Sequence, residues 1–404
     1  MSTSLLYHAW GIRGYQHGRT EYREGATCFV IEHTPGSLRC GRCGSDDVVR
    51  AGTVPRWFRT LPIGSRPTWL GLDVQRLRCH ACGCTRQAHL GFADERVRHS
   101  KAFERYVLEL SRHMTIQAVA EHLDVGWDLV KDIQKRHLSR RFKRIRLRGL
   151  KRLAIDEISI GKGHRYLTVV LDLDSGAVVF IGQGKGADAL DPFWRSLRAS
   201  RAKVQAVATD MSPAYTLAVA EHLPEAVHVF DRFHVVKLFN EKLSNLRRDI
   251  QRQAETKEHK QVIKGTRWLL LKNPQKLDED RDERRRLDDA LRLNQPLATA
   301  YYLKEDLRRL WDQPGKRLAG RFLDDWLARA RASGVAMLQK FANTLELHRK
   351  GLLAWYNHPI STGPLEGTNN KIKTMQRQAY GFRDQVFFRL KIFALHEAEY
   401  ALTG

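Results

Sequence analysis

Two groups of residues in this chain have the types and spacing that chemistry requires. The first is thiol-based: Cys40-Gly-Arg-Cys43 and Cys79-His-Ala-Cys82 are CxxC pairs, each followed by glycine, with 35 residues between them. A CxxC turn aims two sulfurs at one centre, so two such turns close a tetrahedral site for a structural Zn²⁺ on Cys40, Cys43, Cys79 and Cys82. Gly44 and Gly83 let the chain turn tightly around the thiolates. Cys28, Cys84 and His80 are left over; a second metal on the two spare thiols is one reading, unliganded side chains the other.

The second group is carboxylate. Asp156 ends the apolar run in "RLAIDEISI", with Glu157 beside it, and Asp210 follows "VQAVAT". Acids at strand ends either cap turns or, brought together, hold Mg²⁺ for phosphoryl transfer, where two ions roughly 3.5–4 Å apart activate the nucleophile and the leaving oxygen. Sheet-rim acids of this kind are how RNase H-like nucleases assemble their metal site. Glu366 opens a polar helix on which Asn370, Lys373 and Arg377 recur at helical spacing. Such a face suits a metal ligand flanked by phosphate-binding groups, or simply a capped surface helix.

The elements that must position these groups can be read in order. Between the CxxC turns, strand formers broken by Pro and Gly predict a small β-ribbon whose core is largely the metal. Residues 115–138 predict two short helices turning around Asp124–Gly126, with Thr115 as N-cap and Lys131 and Lys135 on the second helix facing a DNA groove. From Arg136 to Arg152 there are nine Lys/Arg and no acid, so Arg136, Arg140, Arg141, Lys143 and Arg144 read as a phosphate-tracking segment. Beyond it come strands, a hairpin turning at Asp174-Ser175-Gly176, and "AVHVF" ending at Asp231. Residues 240–355 are helical by period, with Trp268, Trp311, Trp326 and Trp355 expected in a helical core.

The 404 residues carry 69 Lys+Arg against 45 Asp+Glu, a formal charge of +24, which points to a polyanionic partner and first to double-stranded DNA. No apolar run is long enough to span a bilayer and the N-terminus lacks the pattern of a secretory signal, so no membrane partner and a cytoplasmic, nucleoid-associated location are expected.

In order, CxxC…CxxC, the helix-turn-helix, "AIDEISIGKGHRYLTVVLDLDSGAVV", "ATDMSPAY", "VFDRFHVVKLFNEKL" and "LEGTNNKIKTMQRQAYGFRD" resemble the ISL3 family of bacterial insertion-sequence transposases over nearly the whole chain. The resemblance implies a DDE core in which Asp156, Asp210 and Glu366 bind Mg²⁺ or Mn²⁺. Glu366 follows Asp210 by 156 residues, too many for a bare RNase H-like core, and the resemblance implies an all-α insertion between them. It also implies that Asp231 and His234, matching a (C/D)xxH element, support the site, and that Lys373 contacts DNA near the cut. Thr362 departs from the family, which often has Asn there, and removes one phosphate or water contact.

The expected fold is thus multidomain α+β. A zinc ribbon (1–92) is followed by a helix-turn-helix with basic linker (93–150), an RNase H-like α/β core (151–239), an all-α insertion (240–355) and the end of the core (356–404). The implied activity is binding of an element's terminal inverted repeats, metal-dependent cleavage and strand transfer into target DNA, by at least a homodimer. A non-catalytic DNA-binding regulator and a structure-selective nuclease are the alternatives. Since strand neighbours face opposite ways, Asp156→Asn is expected to damage DNA cutting far more than Glu157→Gln, as measured on a labelled end duplex.

Overall fold

The computed structural model describes residues 5–161 and 163–396, and the chain divides into two compact units. One comprises residues 5–143 with 374–396; the other comprises 144–373.

In the first unit, strands β1 (Tyr15–Arg23), β2 (Ala26–His33), β3 (Val48–Ile63), β4 (Arg66–Cys79) and β5 (Thr85–Gln87) form one sheet of order β1-β2-β4-β3, with β5 on β4. The β3–β4 hairpin runs from Ile63↔Arg66 to Val48↔Cys79, carrying its open end to the cysteines. The expectation of a ribbon cored by metal is incomplete. The segment before Cys40 adds β1, β2 and helix α1 (Leu5–Trp10), and Leu6, Trp10, Phe29, Ile31, Phe58, Leu70, Val74 and Phe92 make an apolar core beneath the hairpin. That core stabilises the sheet by ordinary burial of apolar area. Gly71 is required by contact: a Cβ there would lie 2.6 Å from the Trp57 ring.

Helices α2 (Lys101–Leu110), α3 (Ile116–Leu123) and α4 (Trp127–Arg141) follow. Thr115 caps α3, its hydroxyl accepting from Ala118 N at 3.1 Å, and Asp124 turns the chain at φ +49°. Val107, Val119, Ala120, Leu123, Val130 and Ile133 pack together, joined by Phe387 of the last α-helix, α16 (Gln385–Phe393). The segment after Lys373 thus groups with the helix-turn-helix, a division the sequence pattern did not suggest.

In the second unit, β6 (Arg152–Gly161), β7 (Arg165–Asp172) and β8 (Val178–Gln183) form an antiparallel meander, with the hairpin bend at Asp172–Ala177. Strands β9 (Ala206–Thr209) and β10 (Val227–Phe230) extend the sheet on the other side of β6, parallel to it, in the order β10-β9-β6-β7-β8. Leu153, Ile155, Val170 and Val207 bury one face of this sheet against α5 (Asp191–Ser200) and α6 (Pro213–His222) through Phe193, Trp194, Leu197, Tyr215 and Val219.

From α7 (Arg232–Gln253) to α14 (Arg349–Ala354) the described elements are all helical, α8 to α13 lying between. Phe239, Trp311, Trp326, Leu303 and Phe341 anchor their core, and Trp326 Nε1 donates to Leu303 O at 2.8 Å. Trp268 does not join it; it is 68% exposed. Helix α15 (Gly363–Gln378) follows and carries Glu366. Among the described residues no helix is long and apolar enough to cross a membrane.

Asp384 is the N-cap of α16: its Oδ1 accepts from Phe387 N at 3.0 Å and its Oδ2 from Lys135 Nζ at 2.7 Å. Asp384→Ala is expected to cost about 1 kcal/mol of stability by loss of the cap, read from denaturant midpoints at constant m-value.

Candidate catalytic and metal sites

The β6–β9 pairing is what brings the first two acids together. Its register is Arg152↔Ala206, Leu153↔Val207 and Ala154↔Ala208, and each acid lies two residues past the last pair, Asp156 within β6 and Asp210 just beyond the end of β9. Strand alternation sends Asp156 to the face opposite Ile155 and α6, and Asp210 is near enough for its charge to act on it. Asp210 closes a turn, its Oδ1 accepting from Ser212 N at 2.9 Å.

Burial raises the Asp156 carboxyl above its ordinary value; the charges of Glu157 and Asp210 push the same way, while a charge on the His234 imidazole pulls it down. Asp156 therefore feels both Asp210 and His234. Glu157 lies on the other face and acts on a different partner: Tyr215 of α6, whose phenol is raised by burial first and by the Glu157 carboxylate second.

Helix α15 meets the Asp156 face through Asn369, a residue the sequence analysis passed over. Asn369 is 5% exposed and its Nδ2 donates to Asp156 Oδ2 at 2.9 Å. Asn369 and Asn370 lie three and four residues after Glu366, so helical spacing puts both on its side and does not choose between them. The buried stripe of α15 includes Leu365, Asn369 and Ile372, whereas Asn370, Lys373 and Arg377 are exposed.

Glu366 lines a cleft of about 510 Å³ with Asp231, Arg232, Phe233, Trp311 and Ser361. Asp231 starts α7, is 1% exposed, and is anchored at both ends: its N–H donates to Thr209 O at 3.1 Å, and its Oδ2 accepts from Thr362 Oγ1 at 2.6 Å. Thr362 O in turn accepts from Glu366 N at 2.8 Å. Thr362 thus has a partner, and a relay runs from the end of β9 through Asp231 and Thr362 to Glu366. His234 sits in the first turn of α7, half-buried, its N–H on Asp231 O at 3.1 Å.

The three acids are not drawn into one tight cluster. Among the described residues the one group of three or more ligating side chains whose donor atoms lie within 4.8 Å of one another is Cys40, Cys43, Cys79 and Cys82. In that group Cys40 and Cys82 sulfurs are 3.8 Å apart and Cys43 and Cys79 sulfurs 3.6 Å, close to the edges of about 3.8 Å that a tetrahedron with Zn–S near 2.3 Å requires. The residues present fit zinc. Gly44 and Gly83, at φ +76° and +66°, close the two turns as expected. Cys28 is apart, buried on β2.

The expected DNA-facing residues divide. Lys131 and Lys135 pair with Asp384 at 3.6 and 2.7 Å, Arg136 with Glu104 at 3.4 Å and His99 at 3.1 Å, and Arg140 with Asp94 at 3.0 Å. These cations help hold the first unit together rather than facing solvent alone. Arg141, Lys143 and Arg144 are exposed.

Comparison with known proteins is consistent along the chain. The transposase model of the ISL3 family matches residues 153–392, the model for the helix-turn-helix domain of transposase family ISL3 matches 88–138, and the model for the zinc finger of the IS204/IS1001/IS1096/IS1165 transposases matches 37–82. The transposase for insertion sequence element IS1001 of Bordetella parapertussis is 35% identical over 400 residues, 98% of each chain. That for IS1557 of Mycobacterium tuberculosis is 32% identical over 392 residues, covering 91% of this chain and 87% of its own. A Drosophila P element transposase strand transfer complex overlaps 62% of this chain and 78% of its own at 13% identity and a TM-score of 0.33, a likeness that fixes neither fold nor chemistry.

Two outcomes follow from this geometry. Because the Asp156 carboxyl is raised on folding, its ionisation opposes the folded state: the penalty is absent at pH low enough to protonate both states and grows as pH rises through the carboxylate range. Asp156→Asn is expected to raise the Tm of metal-free protein at pH 7, the gain vanishing in acid, as followed by calorimetry in chelator. Thr362→Val leaves the buried Asp231 carboxylate short of a donor and should cost about 1–3 kcal/mol, read from chemical denaturation.

Proposed function

The chain belongs to the ISL3 family of transposases, and from that premise we propose that it recognises the terminal inverted repeats of its own element, cuts the DNA at its 3′ ends and joins the new hydroxyls to target DNA. The observation that carries this reading is the pair of carboxylates that the β6–β9 pairing brings near each other, Asp156 on β6 and Asp210 just past β9, with the Glu366 helix bonded to Asp156 through Asn369. The order β10-β9-β6-β7-β8, an antiparallel meander flanked by parallel strands, supports reading the core as RNase H-like. The helical run from α7 to α14 between Asp210 and Glu366 supports reading it as an insertion.

Asp156, Asp210 and Glu366 offer oxygen donors of the kind hard cations take, and they are the residues that would hold Mg²⁺ or Mn²⁺. Bound there, the ions supply Lewis-acid activation of a water or 3′-hydroxyl and neutralise charge on the phosphate. The chain's own residues do the positioning. Asn369 fixes the orientation of the Asp156 carboxylate, and the Asp231–Thr362 bond sets where the Glu366 helix begins. His234 favours the ionised form of Asp156, the form that ligates.

The zinc ribbon and helix-turn-helix read the ends in this proposal. Exposed bases of the linker, Arg141, Lys143 and Arg144, together with Asn370, Lys373 and Arg377 on α15, contact phosphate; Lys131, Lys135, Arg136 and Arg140 contribute only as far as their acid partners release them. Two ends must be held at once, so the working unit is a homodimer.

Cleavage of an end duplex, a random duplex and a branched junction in Mg²⁺ tests the reading. The end duplex is expected to be cut, and Asp156→Ala, Asp210→Ala and Glu366→Ala each to lower the rate on the order of 100-fold or more. Variants that all cut like the parent would sink the site assignment. Preference for the junction would favour a structure-selective nuclease, and end binding without cutting a regulator.

A further inference from the structure

The two zinc-binding turns are built alike. Cys40 N donates to Ser45 O at 2.8 Å and Gly44 N to Cys40 O at 3.0 Å; in the second turn Cys79 N donates to Cys84 O and Gly83 N to Cys79 O, both at 3.0 Å. Cys84 therefore occupies the place that Ser45 holds in the first turn, and a thiol replaces a hydroxyl there.

That thiol is within the cluster. Cys84 Sγ lies 3.8 Å from Cys40 Sγ and 3.2 Å from Cys82 Sγ. The first distance equals the Cys40–Cys82 separation of 3.8 Å, an edge of a tetrahedral thiolate site. The second is shorter than such an edge. Two sulfurs bound to one zinc stand about 3.8 Å apart, so Cys82 and Cys84 at 3.2 Å compete for one vertex rather than filling two.

We propose that the fourth zinc ligand is shared: Cys40, Cys43 and Cys79 hold three vertices, and Cys82 and Cys84 alternate at the fourth. Both are only partly covered, so whichever is displaced reaches solvent. A spare thiol beside the metal also gives a route for associative ligand exchange, in which the incoming sulfur would bond as the outgoing one leaves and the thiol's proton would pass to the departing thiolate.

The inference rests on the zinc reading of the ribbon, and metal analysis of the full-length protein separates the two: a parent that binds no zinc overturns both. With zinc bound, iodoacetamide labelling read by peptide mass spectrometry is expected to divide between Cys82 and Cys84 while Cys40, Cys43 and Cys79 stay protected. Label confined to either Cys82 or Cys84 would overturn the sharing. Substituted with Co²⁺, Cys82→Ser and Cys84→Ser are each expected to keep a four-thiolate absorption spectrum, and the double variant to lose it. A single variant that loses the spectrum as completely as the double one would equally sink the idea. The labelling uses parent protein, so it stands even where a variant folds poorly.

Discussion

Everything in the second unit that bears on chemistry depends on the parallel pairing of β6 with β9. The pairing is short, with β9 only four residues long and wholly buried, yet it brings Asp210, just past β9, near enough to Asp156 that its charge adds to the burial that raises the Asp156 carboxyl. Folding gains nothing from such a pair. Burial withdraws water from Asp156, and a like charge stands next to it, so the arrangement persists because the surrounding sheet over-determines it. Apolar packing of Leu153, Ile155 and Val207 against α5 and α6 on the opposite face supplies that determination. A slip of one residue would move each acid onto the packed face.

Relays around this pair show how a site is held by groups that do no chemistry themselves. Asn369 reaches Asp156 from the helix, and Asp231 reaches Thr362 from the start of α7. Each bond joins elements far apart in sequence; Asn369, Asp231 and Thr362 are nearly sealed from water and Asp156 is partly buried, and a hydrogen bond to a carboxylate is stronger than one between neutral groups. Glu157, adjacent to Asp156, illustrates the opposite case: the pleat sends it to Tyr215, into the helix layer and away from the paired acids.

Much of this was legible in the sequence. CxxC spacing located the thiolate cluster, Thr115 marked the cap of α3, and the ends of two apolar runs marked Asp156 and Asp210. What was not legible depends on contacts between distant segments. No local pattern says that Asn369 rather than Asn370 faces the sheet, because both fit a helical repeat and only packing chooses. Likewise the cations of α4 read as a DNA-facing surface until their acids are located: Asp384 and Glu104 lie 249 and 32 residues from the bases they bind. The ribbon's apolar core was missed because nearly half of it, from Leu6 to Ile31, comes from the helix, loop and strands before Cys40. Cys84 was visible as a leftover, but its relation to Ser45 appears only when the two turns are compared in three dimensions.

The Asp231–Thr362 bond spans 131 residues, about three-quarters of them helical. Seen along the chain, the helices from α7 to α14 are an excursion whose two ends meet at this buried contact, beside which Phe230 of β10 packs against Gly351 and His348. A segment closed at its base in this way is open to evolutionary replacement: helices can be lengthened, lost or exchanged so long as the two ends still meet. The entropic cost of closing a longer excursion rises only with the logarithm of its length. The length of the helical segment can therefore change without altering the β6–β9 pairing that brings Asp156 and Asp210 near each other.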